Sequence, residues 1–232
     1  MVAPGIRSER GWARVVWAIA LVVSVLLAGT WTTRPASATV TTLTAEADAF
    51  VSRSQPNANF GAKTALRIRT GAKEAYLRFT VPALAQGESI SSATLRLFAS
   101  TGPSCAAGAE VLRAASDSWT ESGPGGITWN RRPGSVGGAL SQATGWTPKT
   151  YVSWDVSGAI TASGPVSFVV QVPAGCSGSD AVFASREAIN QPQLVVETNP
   201  APTPTASDTV TPTPGPSEGV TPTPSPSEGV TP

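Results

Sequence analysis

The chain has 232 residues, with 16 Lys and Arg against 15 Asp and Glu, a net charge of +1 and no histidine. Near-neutrality leaves no basic footprint for nucleic acid, so any electrostatic specificity must come from local arrangement. The missing imidazole removes the commonest general base, nucleophile activator and zinc ligand together.

The N-terminus is a leader in composition. Arg7, Arg10 and Arg14 precede an apolar run from Val15 to Gly29 that only Ser24 interrupts, and Ala36-Ser37-Ala38 is an A-x-A cleavage site. The run is shorter than the roughly 20 residues a spanning helix needs. Residues 1–38 therefore read as a signal peptide, with a mature chain from Thr39 that is secreted and has no membrane attachment after cleavage.

Short alternating or continuous apolar stretches follow. They are Ala47–Val51, Thr64–Arg69, Ala75–Val81, Ala93–Ala99, Tyr151–Val156, Val166–Val172 and Pro192–Glu197, each bounded by Gly, Pro, Ser or Asn. This spacing predicts an all-β antiparallel sandwich over 39–197, a domain of about 160 residues that is long enough for one core. From Val210 the unit Val-Thr-Pro-Thr-Pro-x-Pro-Ser-Glu-Gly occurs twice and restarts at Val230. Such dense proline holds backbone near polyproline II and removes ladder donors, so 198–232 reads as a disordered Pro/Thr/Ser-rich linker or tail. The repeat breaks off at Pro232, and the reading includes a lost C-terminal catalytic domain.

Cys105 and Cys176 each lie in a Gly/Ala/Ser loop after a predicted strand. In an oxidising compartment the expectation is a disulfide, whose 71-residue loop stabilises by roughly 4 kcal/mol on the chain-entropy model. Two thiols without histidine do not make a metal site.

No G-x-S-x-G elbow, P-loop or dinucleotide fingerprint occurs. Glycoside hydrolysis needs only paired carboxylates, and Asp117, Glu121 and Asp155 are available. Their Ser- and Thr-rich surroundings fit turns and caps better. The chain does not read as an enzyme, and no catalytic residue is expected.

The ordered phrases ADAFV, QPNANFG (Gln55–Gly61), LRIR, AYLRFTVPAL (Ala75–Leu84), SISSATLRLF (Ser89–Phe98), SDSWTE (Ser116–Glu121), ITWNRRP (Ile127–Pro133), VSWDVS (Val152–Ser157) and FASREAINQPQLVV (Phe183–Val196) resemble the DNRLRE domain, also classed as carbohydrate-binding module family 96. The resemblance covers nearly all of 44–197. It implies a jelly-roll-like β-sandwich of secreted bacterial proteins, often attached to enzymes, with acidic polysaccharides such as alginate as ligands. In secreted actinobacterial proteins such a module is expected before a Pro/Thr linker and a catalytic domain, for example a metallophosphoesterase.

Alternation assigns faces to the predicted strands. Leu66 and Ile68 point one way and Arg67 and Arg69 the other; Leu77 and Phe79 oppose Tyr76 and Arg78; Arg96 opposes Leu95 and Leu97. Lys63 and Lys73 lie in adjoining loops. If their strands share a sheet, Arg67, Arg69 and Arg78 form a basic surface with Tyr76 as a stacking platform, suited to uronate carboxylates and sugar rings. The alternative is that these arginines simply cover an exposed sheet face with their apolar stems.

Trp119, Trp129 and Trp154 are expected to be buried, whereas Trp146 sits in a loop and is a candidate for sugar stacking. Asp48, Asn57 and Asn59 offer hard oxygens for a structural calcium, although Asn and Gly are also ordinary turn residues. Beyond that calcium no cofactor is expected. The expected function is secreted, non-catalytic binding of an acidic polysaccharide, alginate- or pectin-like. The alternatives are an accessory, adhesion or spacer domain without glycan affinity, or the N-terminal remnant of a longer secreted hydrolase.

Overall fold

The computed structural model describes residues 38–200. The expected signal peptide, apart from Ala38, and the Pro/Thr tail beyond Pro200 lie outside the described residues. Eleven strands form: β1 (Thr39–Thr44), β2 (Ala47–Ser52), β3 (Ala65–Ile68), β4 (Lys73–Val81), β5 (Ser89–Ala99), β6 (Ala109–Ala114), β7 (Ser135–Ala143), β8 (Thr150–Asp155), β9 (Gly164–Gln171), β10 (Ala181–Ala184) and β11 (Gln193–Asn199). Two single 3₁₀ turns, Trp129–Arg131 and Ser157–Ala159, complete the described structure. Among the described residues no helix is long and apolar enough to cross a membrane.

The strands make two antiparallel sheets, so the expected sandwich is the fold. The first runs β1-β11-β5-β10-β3, with β8 also on β5. Long β5 organises it: Ser89–Arg96 pairs with β11, Ala99 reaches β10, and Thr94–Ala99 pairs with β8. The second sheet runs β2-β4-β9-β6-β7. Between the sheets lies one apolar cluster containing Leu66, Ile68, Leu77, Phe79, Leu95, Leu97, Trp154, Phe168 and Phe183. Each is a member of an alternating or continuous apolar strand, and burying such a side chain stabilises by about 1.5–3 kcal/mol.

Every stretch read from the sequence as a strand forms one, and β1, β6, β7 and β10 are additional. Three of them escape the alternation test for physical reasons. β1 (TVTTLT) is almost wholly exposed and held by its ladder to β11 rather than by burial. β7 (SVGGALSQA) is a glycine-bearing outer strand, and β10 is only four residues long. β11 continues to Asn199, two residues past the boundary expected from the onset of proline.

The arginine-bearing strands do not share a sheet. β3 is the end of the first sheet's path, whereas β4 lies inside the second. The chain turns the corner between them through a bridge of Arg69 with Lys73, aided by Gly71 at φ 59°, a left-handed conformation in which a β-carbon is strained. Arg67 and Arg69 therefore separate from Tyr76 and Arg78.

A second apolar cluster sits on the outer face of the second sheet. The segment after β6 lays Trp119 and Ile127 over Ala47, Ala49, Val51, Tyr76, Leu112 and Val169, with Trp129 at the margin. Alternation correctly places Tyr76 opposite Leu77, but this roof replaces the solvent expected on that side. Tyr76 is wholly buried, so it is no exposed stacking platform.

Candidate functional site

The β3 corner concentrates charge. Arg67, on the outward side of this short strand, and Arg69 and Lys73, on either side of the turn, all converge on Asp180, the last residue before β10. Lys73 Nζ donates to Asp180 Oδ2 at 2.5 Å and Arg67 Nη1 to the same oxygen at 3.3 Å. Arg69 Nε lies 3.0 Å from Oδ1, a contact of charge rather than an aligned hydrogen bond. Burial alone would raise the Asp180 carboxyl, but Lys73, Arg67 and Arg69 outweigh it and hold the group below its ordinary value. One carboxylate cannot neutralise three cations. The side chains of Arg67 and Arg69 remain 48% and 46% exposed, so the surplus faces solvent.

Two open recesses flank this cluster. One, of about 270 Å³, is lined by Phe50, Phe60, Lys63, Thr64, Ala65 and Arg67. Phe50 and Phe60 stack at 4.3 Å between ring centroids, and Lys63 adds a further exposed cation. The other, of about 280 Å³, lies between Arg69, Lys73 and Gln171. Guanidinium forks and ammonium groups beside aromatic carbon suit ligands that carry carboxylates on rings.

The disulfide belongs to the same end of the domain. Cys105 and Cys176 are joined, with Cα atoms 6.0 Å apart, and among the described residues no cysteine is free. The bridge ties the β5–β6 loop to the β9–β10 loop, and the latter carries Asp180 four residues beyond Cys176. Gly178 reinforces the tie by packing directly on the Ser104 carbonyl, where a β-carbon would not fit.

Other residues expected at a binding site are placed elsewhere. Arg78 supports the roof: its Nη1 donates to the carbonyls of Trp119 at 2.5 Å and Asp117 at 3.1 Å, and its guanidinium lies 5.3 Å from the Trp119 ring centroid. Tyr76 donates its hydroxyl to Glu74 at 2.9 Å and meets Trp119 edge-on; burial and the Glu74 charge push its phenol far up. Trp146 is half-buried against Phe183 at 5.6 Å and donates its indole N–H to the Thr101 carbonyl at 2.9 Å. Arg96 lies on the outer face of the first sheet, over the Tyr151 ring at 4.8 Å.

The carboxylates considered for hydrolysis are engaged in bracing. Asp117 forms a bidentate pair with Arg113 at 2.9 and 2.5 Å, and Asp155 accepts from the N–H and hydroxyl of Ser157. Glu121 accepts the Asp48 N–H at 2.8 Å and pairs with Arg186 at 2.7 Å.

Asp48 is 1% exposed on β2 and accepts the Arg186 N–H at 2.7 Å. Burial pushes its carboxyl up to about 8, against the Arg186 N–H, with Glu187 and Glu121 adding to the rise. The asparagines expected beside it as oxygen donors are engaged elsewhere. Asn59 gives its amide to the carbonyls of Glu121 and Ile127, both at 2.7 Å, and Asn57 accepts from Asn130 at 2.9 Å. Glu121 and Glu187 are the carboxylates that converge on Asp48. In the sequence, Arg186-Glu187 before the last strand reads as an ion pair or turn contacts rather than a ligand site, because the proximity of Glu187 to Asp48 depends on how the two sheets pack.

No curated protein matches the chain. The family model for carbohydrate-binding module family 96 matches residues 39–198, which spans all eleven strands but for the last residue of β11. The β-sandwich with its cationic corner therefore belongs to carbohydrate-binding module family 96.

Proposed function

We propose that the domain binds an acidic polysaccharide, alginate- or pectin-like, along the β3 corner, and does so without catalysis as a secreted module. The observation that carries this reading is the convergence of Arg67, Arg69 and Lys73 on the single carboxylate of Asp180, with Lys63 beside them in the adjoining recess. A uronate carboxylate entering there replaces part of the solvation of an existing cationic surplus and needs no rearrangement of the sandwich. The face of Phe60 offers apolar carbon to a sugar ring at the same place. Membership of a carbohydrate-binding family supports the ligand class, and the disulfide and leader-like N-terminus support work outside the cell.

The test is affinity electrophoresis of the full chain in gels containing alginate, pectin or a neutral glucan. Wild type is expected to be retarded by the acidic polymers, and less so as salt rises, because exposed charges are screened over about 8 Å at physiological ionic strength. The Arg67→Ala/Arg69→Ala double variant is expected to lose that retardation. Unretarded migration of wild type in both acidic gels, or equal retardation of a folded double variant, refutes the proposal.

A further inference from the structure

Asp48, Glu121 and Glu187 come from three separate parts of the fold: the outer strand β2, the roof over the second sheet, and the turn that follows β10 in the first sheet. One carboxylate oxygen of each lies within 4.8 Å of the others. Like charges do not gather at this distance without compensation, and the compensation from the protein is incomplete. The Arg186 guanidinium is committed to Glu121 Oε2 at 2.7 Å, leaving three carboxylates against one cation. Asp48 makes the shortfall acute. Its Oδ2 accepts the Arg186 N–H, but Oδ1 is buried and receives no hydrogen bond from the protein. A buried, unsatisfied carboxylate oxygen is costly unless something positive meets it.

We propose that Asp48, Glu121 and Glu187 form a binding site for a hard divalent cation, calcium by its chemistry. The donors are all carboxylate oxygens, with no sulfur or imidazole, which favours calcium or magnesium over zinc or copper. Calcium suits the irregular placement of ligands from three elements better than magnesium, which demands near-octahedral geometry. Glu187 is exposed and gives the ion a way in, while buried Asp48 anchors the inner side. The bound ion would clamp the roof, the second sheet and the first sheet together. It lies close to the cationic corner in the chain as well, since Ser185 hydrogen-bonds the carbonyl of recess-lining Lys63 at 2.6 Å.

The test needs no glycan, so its result is independent of the proposed ligand. The full chain is stripped with a chelator, and calcium and magnesium chlorides are titrated separately by calorimetry and by thermal unfolding. Calcium is expected to bind one to one with a Kd of about 10⁻⁵–10⁻³ M and to raise Tm saturably, and magnesium to do so more weakly. Glu187→Gln, at an exposed position whose loss leaves the core intact, is expected to weaken calcium at least tenfold. Asp48→Asn is expected to abolish the calcium-dependent rise in Tm and, if it folds, to be no less stable than calcium-free wild type. Absence of calcium binding to wild type at millimolar concentration overturns the proposal. So does calcium binding that Glu187→Gln leaves unchanged, because the ion would then sit elsewhere.

Discussion

Gly61 packs directly on the backbone carbonyl of Glu121, with no room for a β-carbon between them. Space rather than backbone conformation demands glycine here, and Asn59 secures the same carbonyl from the other side of the loop. Gly61→Ala is expected to push Glu121 outward and destabilise the domain by about 1–3 kcal/mol, the usual cost of overpacking. Denaturant unfolding reads the cost. Calcium titration of the same variant should show weaker binding, because one of the three carboxylates has moved.

The two halves of the arginine set should separate by phenotype. Arg67→Ala and Arg69→Ala each remove a half-exposed cation, and each should weaken binding to an acidic glycan by about 1.5 kcal/mol, the low end for a charge-assisted hydrogen bond. Affinity for neutral glucan should be unaffected, and Tm should fall only slightly because Lys73 still pairs with Asp180. Tyr76→Ala should instead destabilise by about 3–5 kcal/mol, since it empties the centre of a packed cluster beneath Trp119. Melting curves collected beside the binding gels distinguish these outcomes; a Tyr76→Ala variant as stable as wild type contradicts the roof.

Removal of the disulfide by a Cys105→Ser/Cys176→Ser pair should cost roughly 4 kcal/mol for the 71-residue loop, less any residual order in the unfolded chain. The loop carrying Asp180 should then show faster amide exchange than β10 beyond it. Unchanged protection of Gly175–Asp180 in the variant would show that Gly178 and the ion cluster hold the loop unaided.

Acid should unfold the domain through Asp117 and Asp180. Burial opposes ionisation of both, but Arg113 and Ser167 at Asp117, and Lys73, Arg67 and Arg69 at Asp180, outweigh it and lower the folded-state values. A group depressed in the folded state contributes stability that is present above its unfolded value, about 3.9, and is lost as pH falls through the folded one. Urea midpoints should therefore drop as pH falls below about 4. Asp117→Asn should be less stable at neutral pH and show a shallower acid limb. An acid limb as steep as that of wild type would remove Asp117 from the account.

Part of this molecule is local and is therefore readable in the chain. Alternation is a property of neighbours, so Leu66-Arg67-Ile68 and Leu77-Arg78-Phe79 disclose their inward members without any knowledge of the sheets. Export chemistry makes the Cys105–Cys176 pair legible in the same way, because only two thiols exist to be joined. Strands without an apolar face, such as exposed β1 and glycine-bearing β7, are held by ladders to distant partners and leave little trace in their own residues.

What surrounds an outward face is decided in three dimensions. Arg67 and Arg78 have the same local pattern, yet one borders solvent beside Asp180 and the other lies under carbonyls of the 115–134 segment. Period two reports which side of a strand a residue occupies, not whether another segment covers that side. The same limit applies to Asp48, Glu121 and Glu187. They are up to 139 positions apart in sequence and meet because two sheets and a roof close on one another, a long-range consequence of burying the apolar faces that the chain does display.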